Sequence, residues 1–212
     1  MVLTTQSPPR TRHAIRRHDY LARRHEAMDR LFRVESGWAC QYRLLPDGRR
    51  QIITLFLPGD YCEAQWALTG RANWPVTALT DMLVTPMALS EFRGSGPGAT
   101  EGMTSLMASI TQTLKSHENW IVNLGRMNAT ERICALLCDL VERLRPSGSV
   151  VDDQCVMPLT QADFADIVGI SAIHANRVIQ TLRGEGVIAL EAGQLKLLDP
   201  AELLRRSGPA HD

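Results

Sequence analysis

The 212-residue chain carries 23 Lys or Arg against 23 Asp or Glu, a formal net charge of zero, with 44% hydrophobic and 22% charged residues. Such a balance excludes a general electrostatic pull toward nucleic acid or membrane, so binding of that kind needs a few locally focused cations. No apolar run is long enough to span a bilayer and no signal-peptide core opens the chain, so the expectation is a soluble cytoplasmic protein with no membrane partner.

Charge is unevenly spread. Residues 1–33 hold eight Arg against three acids, while residues 158–212 hold five Lys or Arg against seven acids. From about His13 to Met87 short β-rich runs alternate with turn signals. Ser36-Gly37 precedes WACQYRLL, Pro46-Asp47-Gly48 separates it from RQIITLFL, and Pro58-Gly59-Asp60 closes that run. Alternation between Gln51 and Leu57 is imperfect, yet β-branched content and the bounding turns predict strands, and closely spaced antiparallel strands suggest a small barrel or roll.

The Gly94-Ser95-Gly96-Pro97-Gly98 break marks a boundary, and a helical period follows. Met103, Met107, Ile110, Leu114, His117, Ile121 and Leu124 alternate in steps of four and three. That narrow stripe predicts a helix pairing with a copy of itself, a homodimer, with polar His117 fixing the register. Trp120 lies beside the seam and is assigned no chemistry. Gly125 is expected to loosen the helix before Asn128-Ala129-Thr130-Glu131, a capping-box start for an amphipathic helix through Leu144 that Pro146-Ser147-Gly148 ends.

The run LTQADFADIVGISAIHANRVIQTLRGEGVI, residues 159–188, reads as two helices on a glycine hinge. Thr160 caps the first, from Gln161 to Val168. Gly169 supplies the positive φ of the turn, and Ser171 caps the second. Ala175, Val178, Ile179 and Leu182 form the buried stripe of the second helix, which turns Ala172, Ile173, Asn176, Arg177 and Gln180 outward.

These side chains suit base reading in a major groove. Arg177 matches guanine, Asn176 matches adenine, and Ile173 or Ala172 matches a thymine methyl. Thr160, Ser171 and His174 are expected at phosphates, beside the two helix N-termini, with Gln161 completing the double-stranded DNA-binding set. Two strands around Glu191-Ala192-Gly193 predict a hairpin wing.

The order of these parts, and the helix-turn-helix run above all, resembles the CRP/FNR superfamily of bacterial transcription regulators, named for the cyclic-AMP receptor protein and the fumarate and nitrate reduction regulator. The resemblance covers about residues 14–204. It implies an α+β fold: an antiparallel β-roll of the cyclic-nucleotide-binding jelly-roll kind, a long dimerisation helix and a C-terminal winged helix-turn-helix. The implied divisions are a β-roll sensor unit over 1–94, the dimerisation helix over 95–126 and the DNA-binding unit over 127–212. A homodimer on a roughly palindromic operator is implied, with RNA polymerase as a further partner if the protein activates transcription. Arg177 falls on the family's recurrent base-contacting arginine. Ala172 and Ile173 replace the arginine and glutamate that often open the recognition helix, which implies a different half-site.

The residues identify no effector, and no cofactor or metal is expected. Cyclic-nucleotide binders of the family carry a Gly-Glu pair and then an Arg-Ser or Arg-Thr pair; here Glu63-Ala64 and Ala72-Asn73 or Trp74-Pro75 stand in those places, with Arg71 only a neighbour. No cysteine precedes Cys40, unlike the iron-sulfur branch. His13, His18, His25 and His117 are candidate haem ligands, though surface or interface histidines are the ordinary reading. The five cysteines, Cys40, Cys62, Cys134, Cys138 and Cys155, are odd in number and lack CxxC spacing, so reduced buried thiols are expected. Cys40 and Cys62 are the candidate redox pair, and nothing local lowers a thiol pKa. The competing reading is a small-ligand or redox sensing module without DNA binding. No catalytic motif supports an enzyme.

Overall fold

The structure, a computed structural model, describes residues 11–92 and 97–208. In chain order the N-terminal elements are β1 (His13–Ile15), β2 (Tyr20–Ala22), β3 (Arg30–Ser36), β4 (Ala39–Leu44), β5 (Arg50–Phe56), β6 (Tyr61–Cys62), α1 (Trp66–Thr69), β7 (Val76–Ala78) and β8 (Met82–Ala88). Two antiparallel four-stranded sheets, ordered β1-β8-β3-β6 and β2-β7-β4-β5, close the roll. Gly37 makes the corner between β3 and β4 at φ 81°, pressed so close to Thr80-Asp81 that a β-carbon would collide with the Asp81 carbonyl oxygen.

A long helix, α2 (Pro97–Arg126), follows, then α3 (Ala129–Leu144), β9 (Val150–Val151), β10 (Gln154–Val156), α4 (Gln161–Val168), α5 (Ala172–Gly184), β11 (Ile188–Glu191), β12 (Gln194–Leu197) and α6 (Pro200–Arg206). Residues 94–96 of the expected break lie outside the described residues, while Pro97 and Gly98 already belong to the first turn of α2. Proline suits that position because its missing N–H would have no partner there.

Gly125 does not loosen the helix, contrary to expectation. The helix continues to Arg126 because its end is braced from outside: Arg132 donates to the carbonyls of Leu124 at 2.8 Å and Met127 at 2.9 Å, and to that of Val168 at 3.1 Å. These carbonyls would otherwise be left without helical partners. Asn128 then caps α3 through a full capping box with Glu131.

The hydrophobic interior is split in two. Inside the roll, Leu31, Val34, Phe56, Trp66 and Val84 pack together with Leu106 of α2. The second core joins Trp38, Cys40, Ile52 and Leu55 on the outside of the β2-β7-β4-β5 sheet to Ile133, Leu137, Leu140, Phe164 and Ile179 of the C-terminal helices. β5 is therefore buried on both faces. A register shift opposite Gln41 and Tyr42 skips Ile53, so the strand's side chains change face there. This explains the imperfect alternation of RQIITLFL.

Candidate nucleic-acid interface

Local sequence shapes the helix-turn-helix. Thr160 caps α4 by accepting from the Asp163 amide at 3.1 Å, and Asp163 accepts in return from the Thr160 amide at 2.9 Å. Gly169 ends α4 at φ 71°, and Ser171 caps α5 by accepting from the His174 amide at 3.2 Å. Ala175, Val178, Ile179 and Leu182 are buried, as their spacing requires. The opposite face carries Ala172, Ile173, His174, Arg177 and Gln180, all exposed, with Ile173 76% accessible.

Several side chains on this face are already positioned. Asn176 is half-buried and accepts from Gln161 Nε2 at 2.8 Å, so the first residue of α4 steadies a residue of α5. Gln180 accepts from Arg183, which also pairs with Glu191 of the wing. Thr160 departs from its expected role. Its hydroxyl donates to Asp163 Oδ2 at 2.6 Å, which takes up the proton a phosphate contact would need.

Electrostatics resolve the puzzle of an acidic DNA-binding unit. Arg50, reaching from the roll, donates to Asp163 at 2.6 Å and Asp166 at 2.7 Å, and Arg206 engages Glu185 and Glu202. Glu191 is held by Arg183. Arg177 forms no ion pair among the described residues, so its positive charge is left facing outward. Sequence reasoning missed Arg50, Arg132 and Arg143, each of which has at least one partner more than 30 residues away in the chain. Their only local trace is an arginine beside a turn or within an amphipathic helix.

The wing forms as expected, from β11 and β12 around Ala192-Gly193, but it belongs to a larger sheet ordered β11-β12-β10-β9. The seven residues of the expected seam separate into two sets, each spaced by seven. Met107, Leu114 and Ile121 are free, the last two 57% and 71% exposed. Met103 and Ile110 pack against the roll core, and His117 Nε2 lies 3.0 Å from Thr54 Oγ1. Leu124 is half-buried beside the Gly169 turn. His117 is thus bonded within its own chain.

Other candidate sites are occupied by structural contacts. Glu63 is bonded by Gln41, Ala64 and Ala72 are buried, and Trp74 lies between Arg24 at 4.5 Å and Arg43 at 4.0 Å. Arg71 reaches the His25 carbonyl. His13, His18 and His25 are exposed, and no group of three metal-ligating side chains occurs among the described residues. Cys40 and Cys62 sit in different cores, so the redox-pair reading fails on placement. Burial pushes the thiols of Cys40 and Cys138 up to about 11 and that of Cys134 up to about 12, and raises that of Cys62 well above its ordinary range.

Comparison with known proteins agrees with this architecture. The model of a Crp-like helix-turn-helix domain matches residues 131–206, and that of a cyclic nucleotide-binding domain matches residues 12–94. The chain is 31% identical over 172 residues to the nitrogen fixation regulation protein FixK of Bradyrhizobium diazoefficiens, covering 81% of this chain and 71% of the relative. The chain belongs to the CRP/FNR family of transcription regulators. It is also 30% identical over 194 residues to the transcriptional activator protein FnrL of Cereibacter sphaeroides, covering 88% and 76% of the two chains. The solved structure of FixK2 from Bradyrhizobium japonicum shares the fold at a TM-score of 0.81 and 24% identity, over 95% of this chain and 98% of that one. CRP/FNR membership decides between the two readings of the sequence in favour of a DNA-binding transcription regulator. No helix among the described residues is long and apolar enough to cross a membrane.

Proposed function

We propose that this CRP/FNR regulator acts in the cytoplasm as a homodimer on a roughly palindromic operator, without catalytic activity of its own. One α5 enters the major groove of each half-site, and Met107, Leu114 and Ile121 of paired α2 helices hold the two copies in register. Arg177 and Asn176 read base edges, with Gln180, Ala172 and Ile173 beside them. Ser171 and His174 meet the backbone at the N-terminus of α5, and Gln161 does so at that of α4.

The observation that carries the reading is the outward, uncountered Arg177 beside an Asn176 already oriented by Gln161. A groove-reading face benefits from such preparation because ordering the side chain is complete before DNA arrives. Cyclic AMP is not the effector. With Glu63 held by Gln41 and no arginine-hydroxyl pair beyond it, a buried phosphate would lack charge compensation. RNA polymerase is the further partner if transcription is activated.

Fluorescence anisotropy on duplexes selected from genomic fragments tests this reading. Binding is expected to be sequence-selective and to weaken with salt, and Arg177→Ala is expected to lose about 1–3 kcal/mol of specific affinity and relax preference at one base pair. Flat titrations at low salt, or unchanged selectivity in the variant, overturn it.

A further inference from the structure

A cavity of about 390 Å³ lies where β5, α2 and α3 meet, within the size range of small-molecule pockets. Residues 63–64 and 72–75, where the family's phosphate cassette would stand, are not among its walls. We propose that this cavity binds a neutral organic molecule with an apolar ring body and at least one hydrogen-bond donor, and that the occupant bridges the roll to the DNA-binding unit.

Three observations carry this. The floor is apolar, formed by Ile52 and Phe56 of β5, Trp120 of α2, and Leu136 and Leu140 of α3. Over it α2 lays a polar stripe, Ser105, Ser109, Gln112, Ser116, Asn119 and Asn123, in steps of four and three. At the end of the stripe Asn123 is only 3% exposed, lines the cavity, and its side-chain oxygen has no hydrogen-bond partner. An acceptor withdrawn from water and left unpaired is costly, and a donor entering the cavity removes that cost.

Charge selects against an anion. The ionisable groups facing the space are Asp60, Tyr61, His117, Asp139 and Arg143. Arg143 is already committed, donating to Asp60 at 2.8 Å and the Leu55 carbonyl at 2.7 Å, with Asp139 at 3.5 Å. A phosphate or carboxylate would meet two carboxylates and no free guanidinium among the described residues, so the occupant is neutral.

The site also stays open in the proposed dimer, on which this point alone rests. At about 100° per residue the polar stripe falls on the opposite side of α2 from Met107, Leu114 and Ile121, so a partner helix seated there leaves the cavity uncovered.

Benzamide serves as the probe, with benzoate as its charged counterpart of the same shape. Full-length protein carrying 15N-labelled tryptophan is titrated by NMR, the Trp120 indole peak being assigned through Trp120→Phe. Benzamide is expected to shift that peak saturably in the millimolar range, with benzoate at least about tenfold weaker. Asn123→Leu is expected to weaken benzamide about tenfold. If that variant misfolds, Ala108→Phe, an exposed substitution on the cavity wall, is expected to abolish the shift. No saturable shift up to about 10 mM, equal binding of benzoate, or unimpaired binding by both folded variants overturns the proposal. The readout involves no DNA, so it is separate from any failure of operator recognition.

Discussion

Replacing Arg50 with Met tests whether the roll holds the helix-turn-helix in place by charge as well as by apolar packing. Arg50 Nη2 donates to Asp163 at 2.6 Å and Nε to Asp166 at 2.7 Å, with side-chain exposures of 28%, 10% and 26% for the three residues. Methionine keeps the apolar stem but leaves Asp163 with only its contacts to Thr160. Breaking a fully buried pair costs about 3–5 kcal/mol and a single charge-assisted hydrogen bond about 1.5–3 kcal/mol. Partial exposure places this loss toward the lower figure, so Arg50→Met is expected to destabilise by about 2–3 kcal/mol. Arg49→Met is the control. Its side chain is 76% exposed and, among the described residues, pairs only with Asp47, so its cost is expected to stay below about 0.5 kcal/mol. Urea denaturation compares the two variants with the parent at matched ionic strength. An Arg50→Met midpoint indistinguishable from that of Arg49→Met refutes the reasoning.

Leu114→Glu places a charge in the middle of the free apolar stripe of α2 and is expected to convert dimer to monomer in sedimentation velocity, with little loss of helix by circular dichroism; a variant that still sediments as a dimer removes the stripe from the interface. Gly37→Ala is expected to cost about 2 kcal/mol or more, because the φ of 81° is strained for alanine and the Asp81 carbonyl blocks the methyl; an unchanged melting temperature contradicts the corner geometry. The buried thiols set an alkaline limit. Cys40 and Cys138 are raised to about 11 and Cys134 to about 12 from an ordinary 9.0, so the fold retains protons that the unfolded chain releases. That stabilisation is complete below about pH 9 and is lost as pH rises through about 9 to 12. Melting temperature is expected to fall across that window, and more shallowly when the three cysteines are replaced by Ala; parallel curves rule out the thiols as the cause.

The helix-turn-helix was the most legible part of the sequence because its signals are local. Thr160, Gly169 and Ser171 each act within four residues of themselves, and the stripe from Ala175 to Leu182 needs only one helix to be recognised. Turn residues located the roll for the same reason. What stayed hidden was set by contacts across the chain. The double burial of β5 and the skipped Ile53 depend on which helices pack behind the sheet. The spacing from Met103 to Leu124 marked a helix, but periodicity cannot say that Met103, Ile110 and His117 turn toward the chain's own roll. The strands β9 and β10 are two and three residues long, too short for alternation to register. Arg50 meets its carboxylates 113 and 116 residues away, beyond any motif.

The two-faced burial of β5 limits how this protein can be taken apart. A chimera joined within α2, with the roll from one relative and the helix-turn-helix from another, would match the chain's visible boundaries while separating Ile52 and Leu55 from the helices moulded around them. A transplant that keeps its footing has to carry the outer surface of that strand along with the C-terminal half, so the unit of inheritance here is larger than the segment that touches DNA.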